Sequence, residues 1–406
     1  MSMKNIFLAA SVLMLCSCAG ESSQSGITTI DVASGIKDAK ALTTSSLFDK
    51  VEYIPLETTD ESIISKIADI RVMDDYILMS SSGLPMKLFD RKTGKFIREI
   101  GKLGNGPEEY TGGRGTPAIM YIDAGDQTIY VTSQNTQLQH YDLMGNYLGK
   151  IVYPDNVKKY TANNQFFIDG GKVLTHSRSY LSNCPWETAR FSAQTTANAD
   201  TTAHIHPRKA CPMDQVESIS VQNGEYTKVG GVGMILMTMK DGTRFENIPE
   251  NPSIWKMDDA YRLKGLDVDT IYNIVDNTFV PHMAFDFGEW QCTYDEAFQT
   301  EALKSKIKVD FVLENDDYLY LRMHKGLREK EDVVEYCGFY DKKNKTMHVT
   351  DTDKLRDEAV GTDLRIRNIS PKGEFVALLQ PHEIEGVKIN GNTVGDEDNP
   401  VVVILQ

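Results

Sequence analysis

The sequence predicts an all-β chain folded as a β-propeller of six four-stranded antiparallel blades, and three observations carry that expectation. Short alternating runs rich in Val, Ile, Tyr and Thr recur between turn signals along the chain. After residue 30 no long amphipathic helical pattern interrupts them, the best being YDEAFQTEALKSKIK at 294–308. A hairpin pattern also repeats: MKLFDRKTGKFIREI from Met86, LQHYDLMGNYLGKI from Leu138 and CGFYDKKNKTMHVT from Cys337 each give a strand, an aromatic-Asp pair, a turn and a second strand.

Taken in order, the chain first gives its address. Lys4 precedes an apolar run from Ile6 to Leu15 that is too short to span a bilayer, so residues 1–17 read as a secretory signal. Its end, Leu15-Cys16-Ser17-Cys18, resembles a bacterial lipobox, which implies acylation of Cys18; Cys16, where the pattern prefers a small residue, is the one departure. The next residues, AGESSQSG, are small and polar, and residues 18–45 are expected to be a flexible tether to a single domain over 46–406. The expected location is the envelope of a Gram-negative bacterium, lipid-anchored at the outer membrane on its periplasmic or surface side.

Charge then excludes one class of partner. The full chain carries 43 basic and 58 acidic residues, a net −15. Such a surface repels nucleic acid and anionic lipid head groups, so no nucleic-acid partner is expected and the membrane is met through the lipid alone. Cys184, Cys211, Cys292 and Cys337 are spaced by 27, 81 and 45 residues, which matches no zinc pattern. In an oxidising envelope Cys184 with Cys211 is the most local disulfide, and free buried thiols are the alternative.

In the three hairpins Asp90, Asp142 and Asp341 are placed to cap their turns, with Gly94, Gly145 and Asn344 expected at the bends. The first two copies lie 52 residues apart, the span of a four-stranded blade. The 199 residues from Asp142 to Asp341 hold either four regular blades or three enlarged ones. The polar stretch NCPWETARFSAQTTANADTTAHIHP, 183–207, favours enlargement. Blades are therefore expected at about 63–105, 112–155, 160–215, 228–290, 306–350 and 364–406, the last completed by FDKVEYIPLE near the N-terminus so that no long strand edge is left open.

Between the first two blades stands IGKLGNGPEEY, 100–110, whose glycines suggest a phosphate loop. Pro107-Glu108-Glu109 after Gly106 removes an amide and adds two negative charges, and no Lys-Ser/Thr or third glycine follows in register. The segment therefore reads as a stiff connector from the outer strand of one blade to the inner strand of the next.

Here the chain resembles a family. IGKLGNGPEEY is similar to the IG..G.GP.EY connector of six-bladed β-propeller lipoproteins of the bacterial envelope, relatives in fold of NHL-repeat and TolB-like propellers; DVDTIYNI at 267–274 and the terminal NPVVVILQ resemble that family's strands. The resemblance implies six blades and a lipid anchor, and supplies no catalytic residues.

Motifs with chemistry are sparse. His204-Ile205-His206 has a metal-ligand spacing but no third ligand, Asp351-Thr352-Asp353 lacks the rest of a calcium loop, and no GxSxG or HExxH occurs. No cofactor and no catalytic residue is assigned, with a structural metal ion in the channel left open. The face bearing the blade connectors and the loops between second and third strands should be the working face. Tyr110, Arg114, Arg178, Tyr180, Trp186, His324 and Arg328 are its candidate ligand contacts, aromatic faces for stacking and guanidinium groups as donors. The expected function is a monomeric binding or scaffold module for a glycan, peptide or envelope protein. The alternative is a glycan lyase or hydrolase with its site over the channel, which a channel lined by His with Asp or Arg would favour.

Overall fold

In the computed structural model the described residues are 27–65, 67–111, 120–123, 125–133, 137–152, 164–170, 172–177, 186–193, 201–207, 213–222, 234–242, 244–247, 254–265, 269–275, 278–293, 296, 300–326 and 333–406. They form an all-β, propeller-like ring of small antiparallel sheets, mostly four-stranded. The chain enters through strand β1 (Thr28–Asp31), helix α1 (Val32–Lys37), helix α2 (Thr44–Leu47) and strand β2 (Val51–Pro55). Residues 28–45, read from the sequence as part of a flexible tether, thus include a paired strand and helical turns. β1 pairs in parallel with a strand near residue 283, Thr28 facing Met283, and the Lys40 amide donates to Val349 O at 3.0 Å. The buried Ile30, Val32 and Ile36 explain why: this segment carries apolar surface that needs the ring to cover it.

Four consecutive strands then make each of the first three sheets. The first is β3 (Ile67–Val72), β4 (Tyr76–Ser81), β5 (Leu84–Asp90) and β6 (Phe96–Ile100). The second is β7 (Met120–Ile122), β8 (Ile129–Ser133), β9 (Gln137–Tyr141) and β10 (Tyr147–Val152). The third is β11 (Asn164–Asp169), β12 (Lys172–Ser177), β13 (Trp186–Ala193) and β14 (Thr201–Pro207). Polar 183–207, expected to be irregular, therefore contributes two ordinary strands. Cross-strand pairing does not demand an apolar residue at every inward position, and Thr is a good strand former. The extra length lies further on, in a separate three-stranded sheet of β15 (Val216–Gln222), β16 (Met234–Met239) and β17 (Arg244–Asn247).

The expected blade at 228–290 is correspondingly shorter: β18 (Ile254–Met257), β19 (Ala260–Lys264), β20 (Thr270–Val275) and β21 (Thr278–Asp286), widened to five strands by β1. Next come β22 (Ile307–Glu314), β23 (Tyr318–Lys325), β24 (Val334–Asp341) and β25 (Thr346–Thr350). The last sheet holds β26 (Leu355–Asp357), β27 (Thr362–Ile369) and β28 (Phe375–Leu379). After the small hairpin β29 (Lys388–Ile389) and β30 (Asn392–Thr393), it is extended by β31 (Val401–Leu405). β2 pairs antiparallel with β31 from Val51 against Leu405 to Pro55 against Val401, so the N-terminal strand completes the C-terminal sheet as the sequence predicts.

The repeated hairpins share one turn chemistry. Asp90 Oδ1 accepts the Thr93 amide at 2.8 Å, Asp142 Oδ1 the Asn146 amide at 2.8 Å and Asp341 Oδ1 the Asn344 amide at 2.8 Å. At Asp142 and Asp341 burial is the largest single influence and acts upward, yet these bonds and their neighbours together hold all three carboxyl groups below the usual carboxylate range. The left-handed residue at the bend is Gly94 in the first copy and Gly145 in the second, but Lys345, not Asn344, in the third. Asn344 is instead held by Asp341, its Nδ2 donating at 2.7 Å, and the strained conformation passes to the next residue.

IGKLGNGPEEY is the connector from β6 to β7. Its amides are consumed within it: Gly104 N donates to Tyr110 O at 3.1 Å, Tyr110 N to Lys102 O at 3.0 Å, and Gly106 N to the carboxylate of Glu109 at 2.8 Å. The loop thus binds its own anion, which is why it resembles a phosphate loop and is not one. Tyr141 Oη donates to Glu108 O at 2.8 Å and fastens the loop to the second sheet. Around the ring β3 lies beside β27 and β7, β7 beside β11, β11 beside β18, and β22 beside β27. Apolar side chains fill the spaces between neighbouring sheets, the largest cluster lying between β22–β25 and the last sheet.

Candidate functional site

Strand β23 sorts its side chains by alternation. Leu319, Leu321 and Met323 pack toward Trp255 and Phe285, while Tyr320 packs with Phe375 and Val403 of the last sheet. Arg322 and His324 continue the Tyr320 row, so the interface turns polar toward the end of the sheet that carries the β23–β24 turn. The cross-strand rows are Phe311, Arg322 and Cys337, then Lys308, His324 and Glu335.

A register shift between Val309 and Phe311 makes Asp310 the extra residue of a bulge, the device by which a strand re-aims one side chain. Both Asp310 carboxylate oxygens stand 2.9 Å from His324 Nδ1. His324 is 1% exposed and Asp310 8%. A carboxylate here accepts, so Nδ1 carries the proton and the other ring nitrogen, Nε2, presents its lone pair in the neutral imidazole. Nε2 has no hydrogen-bond partner.

Three guanidinium groups gather beside this pair. The Arg322 guanidinium carbon lies 4.5 Å from the Phe311 ring centroid. Arg365 on β27 reaches Glu335 at 3.4 Å and also pairs with Asp353. Arg367 follows at a second bulge, between Ile366 and Asn368. Burial, then repulsion by Arg322, pushes both Arg365 and Arg367 down to about 10, with Glu335 opposing at Arg365. Burial also pushes the Cys337 thiol up to about 12, and it raises the fully buried Tyr320, whose hydroxyl has no hydrogen-bond partner. Buried polar atoms without partners cost about 1–3 kcal/mol each, and several at one end of a sheet mark a place kept for something other than packing.

Of the candidate contacts read from the sequence, His324 lies in this cluster. Tyr110 does not face a ligand: it is 0% exposed, packed among Met86, Ile100 and Tyr141. The reason is the connector's fold, which turns its last residue inward as the plug between two sheets. Arg114, Arg178, Tyr180 and Arg328 fall outside the described residues, as do Cys18, Cys184 and Cys211. Trp186 is the first residue of β13 and His204 and His206 lie on β14, with side chains outside the description. Among the described residues no group of three or more His, Cys, Asp or Glu is placed to hold a metal ion, and no helix is long and apolar enough to cross a membrane.

Sequence reasoning missed Asp310, Arg322, Glu335, Arg365 and Arg367, because they come from two sheets and form no local motif, and it weighed Asp353 only as part of an incomplete calcium loop. One signal was present: Arg365-Ile366-Arg367 and Asp310 put charge inside runs that otherwise read as inner strands.

Comparison with one solved structure supports the fold. The chain is similar to a Bacteroides fragilis protein classed as exported, at 13% identity and a TM-score of 0.52, over 94% of this chain and 99% of that one. It is also similar, at a TM-score of 0.37 and 10% identity over 87% of this chain and 99% of that one, to the computationally designed protein Ika8. No curated protein matches it. The family model described as "Domain of unknown function (DUF4934)" matches residues 27–406, and the chain belongs to that family.

Proposed function

We propose that this chain is a six-bladed, lipid-anchored propeller of the bacterial cell envelope that binds a glycan, peptide or envelope protein at the polar end of the junction between β22–β25 and the last sheet. The single observation that carries the site is His324, buried, held by Asp310 through Nδ1 and open at Nε2. Buried, oriented and only partly satisfied titratable groups are what binding and catalytic sites retain and cores avoid. Six blades are supported by the succession β3, β7, β11, β18, β22 and β27, with Trp255 Nε1 donating to Glu314 across the β18–β22 gap at 2.7 Å. The β15–β17 sheet is then an insertion.

Arg114, Arg178, Tyr180, Trp186 and Arg328 are proposed as outer contacts of the same face, and Cys184 with Cys211 as a disulfide. The anchor at Cys18 and an outer-membrane address rest on the lipobox resemblance, and the exported neighbour in B. fragilis is in keeping with them. A monomer without nucleic-acid partners or cofactor completes the reading.

An enzyme, a glycan lyase or hydrolase, is the second reading. The Asp310–His324 pair favours it, since an imidazole oriented by a carboxylate is a usable general base. The test is a binding screen against oligosaccharides and peptides with wild type, His324→Gln and Glu335→Gln, alongside product analysis. Loss of binding in both variants at an unchanged melting temperature supports the site; binding that neither variant alters refutes it. Turnover lost in His324→Gln selects the enzyme. Cys18→Ala should leave the membrane fraction, and retention there would refute the anchor.

A further inference from the structure

Resting on the binding reading above, we propose that the Arg322, Arg365 and Arg367 cluster is the subsite for an acidic oligosaccharide, one whose sugar ring bears a carboxylate or a sulfate. Three guanidinium groups converge from two sheets, and a β-bulge turns one of them out of the regular alternation of its strand. Glu335 and Asp353 pair with Arg365, while Glu383, the carboxylate acting on Arg367, already accepts the Gln380 amide at 2.9 Å and stands 4.0 Å from Lys354. Repulsion from Arg322 exceeds the attraction of Glu335 at Arg365 and that of Glu383 at Arg367.

The cluster also reaches solvent, the Arg365 side chain being 15% exposed and Glu335 32%. Arg365 Nε and the Tyr320 hydroxyl, both without hydrogen-bond partners, are donors of the kind an oxyanion takes. Guanidinium forks suit carboxylate and sulfate oxygens better than point charges do. His324 Nε2 adds the complementary element, an acceptor. A uronate or sulfated sugar offers an oxyanion and hydroxyl donors on one rigid ring, which matches donors and an acceptor side by side. An acidic peptide offers carboxylates on mobile arms and no hydroxyl next to them.

The test is calorimetric titration of the full chain with trigalacturonate, a κ-carrageenan tetrasaccharide, which bears sulfate and no carboxylate, maltotriose and triglutamate. At least one acidic saccharide should bind at least tenfold more tightly than maltotriose and triglutamate, and which of the two does so separates carboxylate from sulfate. Arg365→Met and Arg367→Met should each weaken that binding at least tenfold. Should a Met variant unfold, Arg365→Lys and Arg367→Lys keep the charge, lose the fork and should still weaken it severalfold. Equal binding of maltotriose or triglutamate, no binding of either acid, or affinity untouched by every arginine variant overturns the proposal. If His324→Gln nevertheless abolishes binding of maltotriose or triglutamate, the site stands and its acidic specificity falls; if it changes nothing, both fall.

Discussion

The Tyr110 hydroxyl accepts the Met86 amide at 2.7 Å, deep between the first two sheets, where both residues are fully buried. The last residue of the connector thus satisfies the backbone of a strand that precedes it. Burial raises the phenol's pKa, so it stays neutral. Tyr110→Phe should therefore leave the Met86 N–H buried without an acceptor and cost about 1–3 kcal/mol. Gly101 tests the same plug. Its φ is +65°, and a Cβ there would come within 2.9 Å of both the Tyr110 and Tyr141 rings, so Gly101→Ala should destabilise through strain as well as overlap. Urea unfolding checks both, and a Tyr110→Phe variant as stable as the parent would show that the plug is merely apolar.

Glu314 holds a second junction together. Its carboxylate, buried at the end of β22, takes Trp255 Nε1 at 2.7 Å, Lys342 Nζ at 2.8 Å and Arg262, which also pairs with Asp258 at 2.8 Å. Removing the anion leaves cationic partners desolvated, so Glu314→Gln should cost about 3–5 kcal/mol. Trp255→Phe keeps the ring and deletes one donor, and should cost about 1 kcal/mol. Chemical denaturation of the two single variants and the double variant would show strong non-additivity; additive effects would mean the pair acts independently.

Ring closure depends on one amide side chain. Asn399, 2% exposed, donates Nδ2 to Glu57 O at 2.7 Å and Ser62 O at 2.9 Å, and its Oδ1 accepts the Ile64 amide at 2.8 Å. It thereby pins the segment after β2 against the approach to β31. Asn399→Asp replaces the donor by an acceptor facing two carbonyl oxygens and should destabilise more than Asn399→Ala, which costs about 1–3 kcal/mol in orphaned backbone groups. Deleting residues 46–57 goes further, exposing the β31 edge, and should yield oligomers through edge pairing. Size-exclusion chromatography of the deletion and melts of the point variants decide; a monomeric deletion melting with the parent would remove β2 from the closure.

Much of the fold was legible because it is written in local, repeated chemistry. The Asp90, Asp142 and Asp341 turns are set by residues three or four apart, and the β2–β31 pairing by a need to cover an edge. Lys345 was not legible: nothing local says that Asp341 will bond Asn344 and hand the positive φ onward. Tyr110 misled for a related reason, since an aromatic beside glycines in a connector looks exposed until the loop's own hydrogen bonds turn it inward. Of the site, His324 could be picked as a titratable residue at a turn. Asp310 could not be joined to it, because a bulge in a neighbouring strand supplies the contact, and Arg365 and Arg367 come from a sheet some forty residues further on.

Acidification should act through two half-buried histidines before it reaches the carboxylates. Burial lowers His140 and His282 below the ordinary imidazole value of 6.5, with Arg262 adding repulsion at His282. His140 Nδ1 and His282 Nε2 have no hydrogen-bond partner, so a proton added there creates a donor with no acceptor. The unfolded chain, titrating near 6.5, then binds more protons than the folded one as the pH drops below that value. Stability is therefore fully present above about pH 6.5 and is lost as the pH falls toward the native values, whereas the capped Asp90, Asp142 and Asp341 hold their protons off until lower pH still. Melting temperatures at pH 7.5, 6.0 and 5.0 should decline for the parent and decline less for His140→Gln combined with His282→Gln. An identical decline in the double variant would assign the acid sensitivity to other groups.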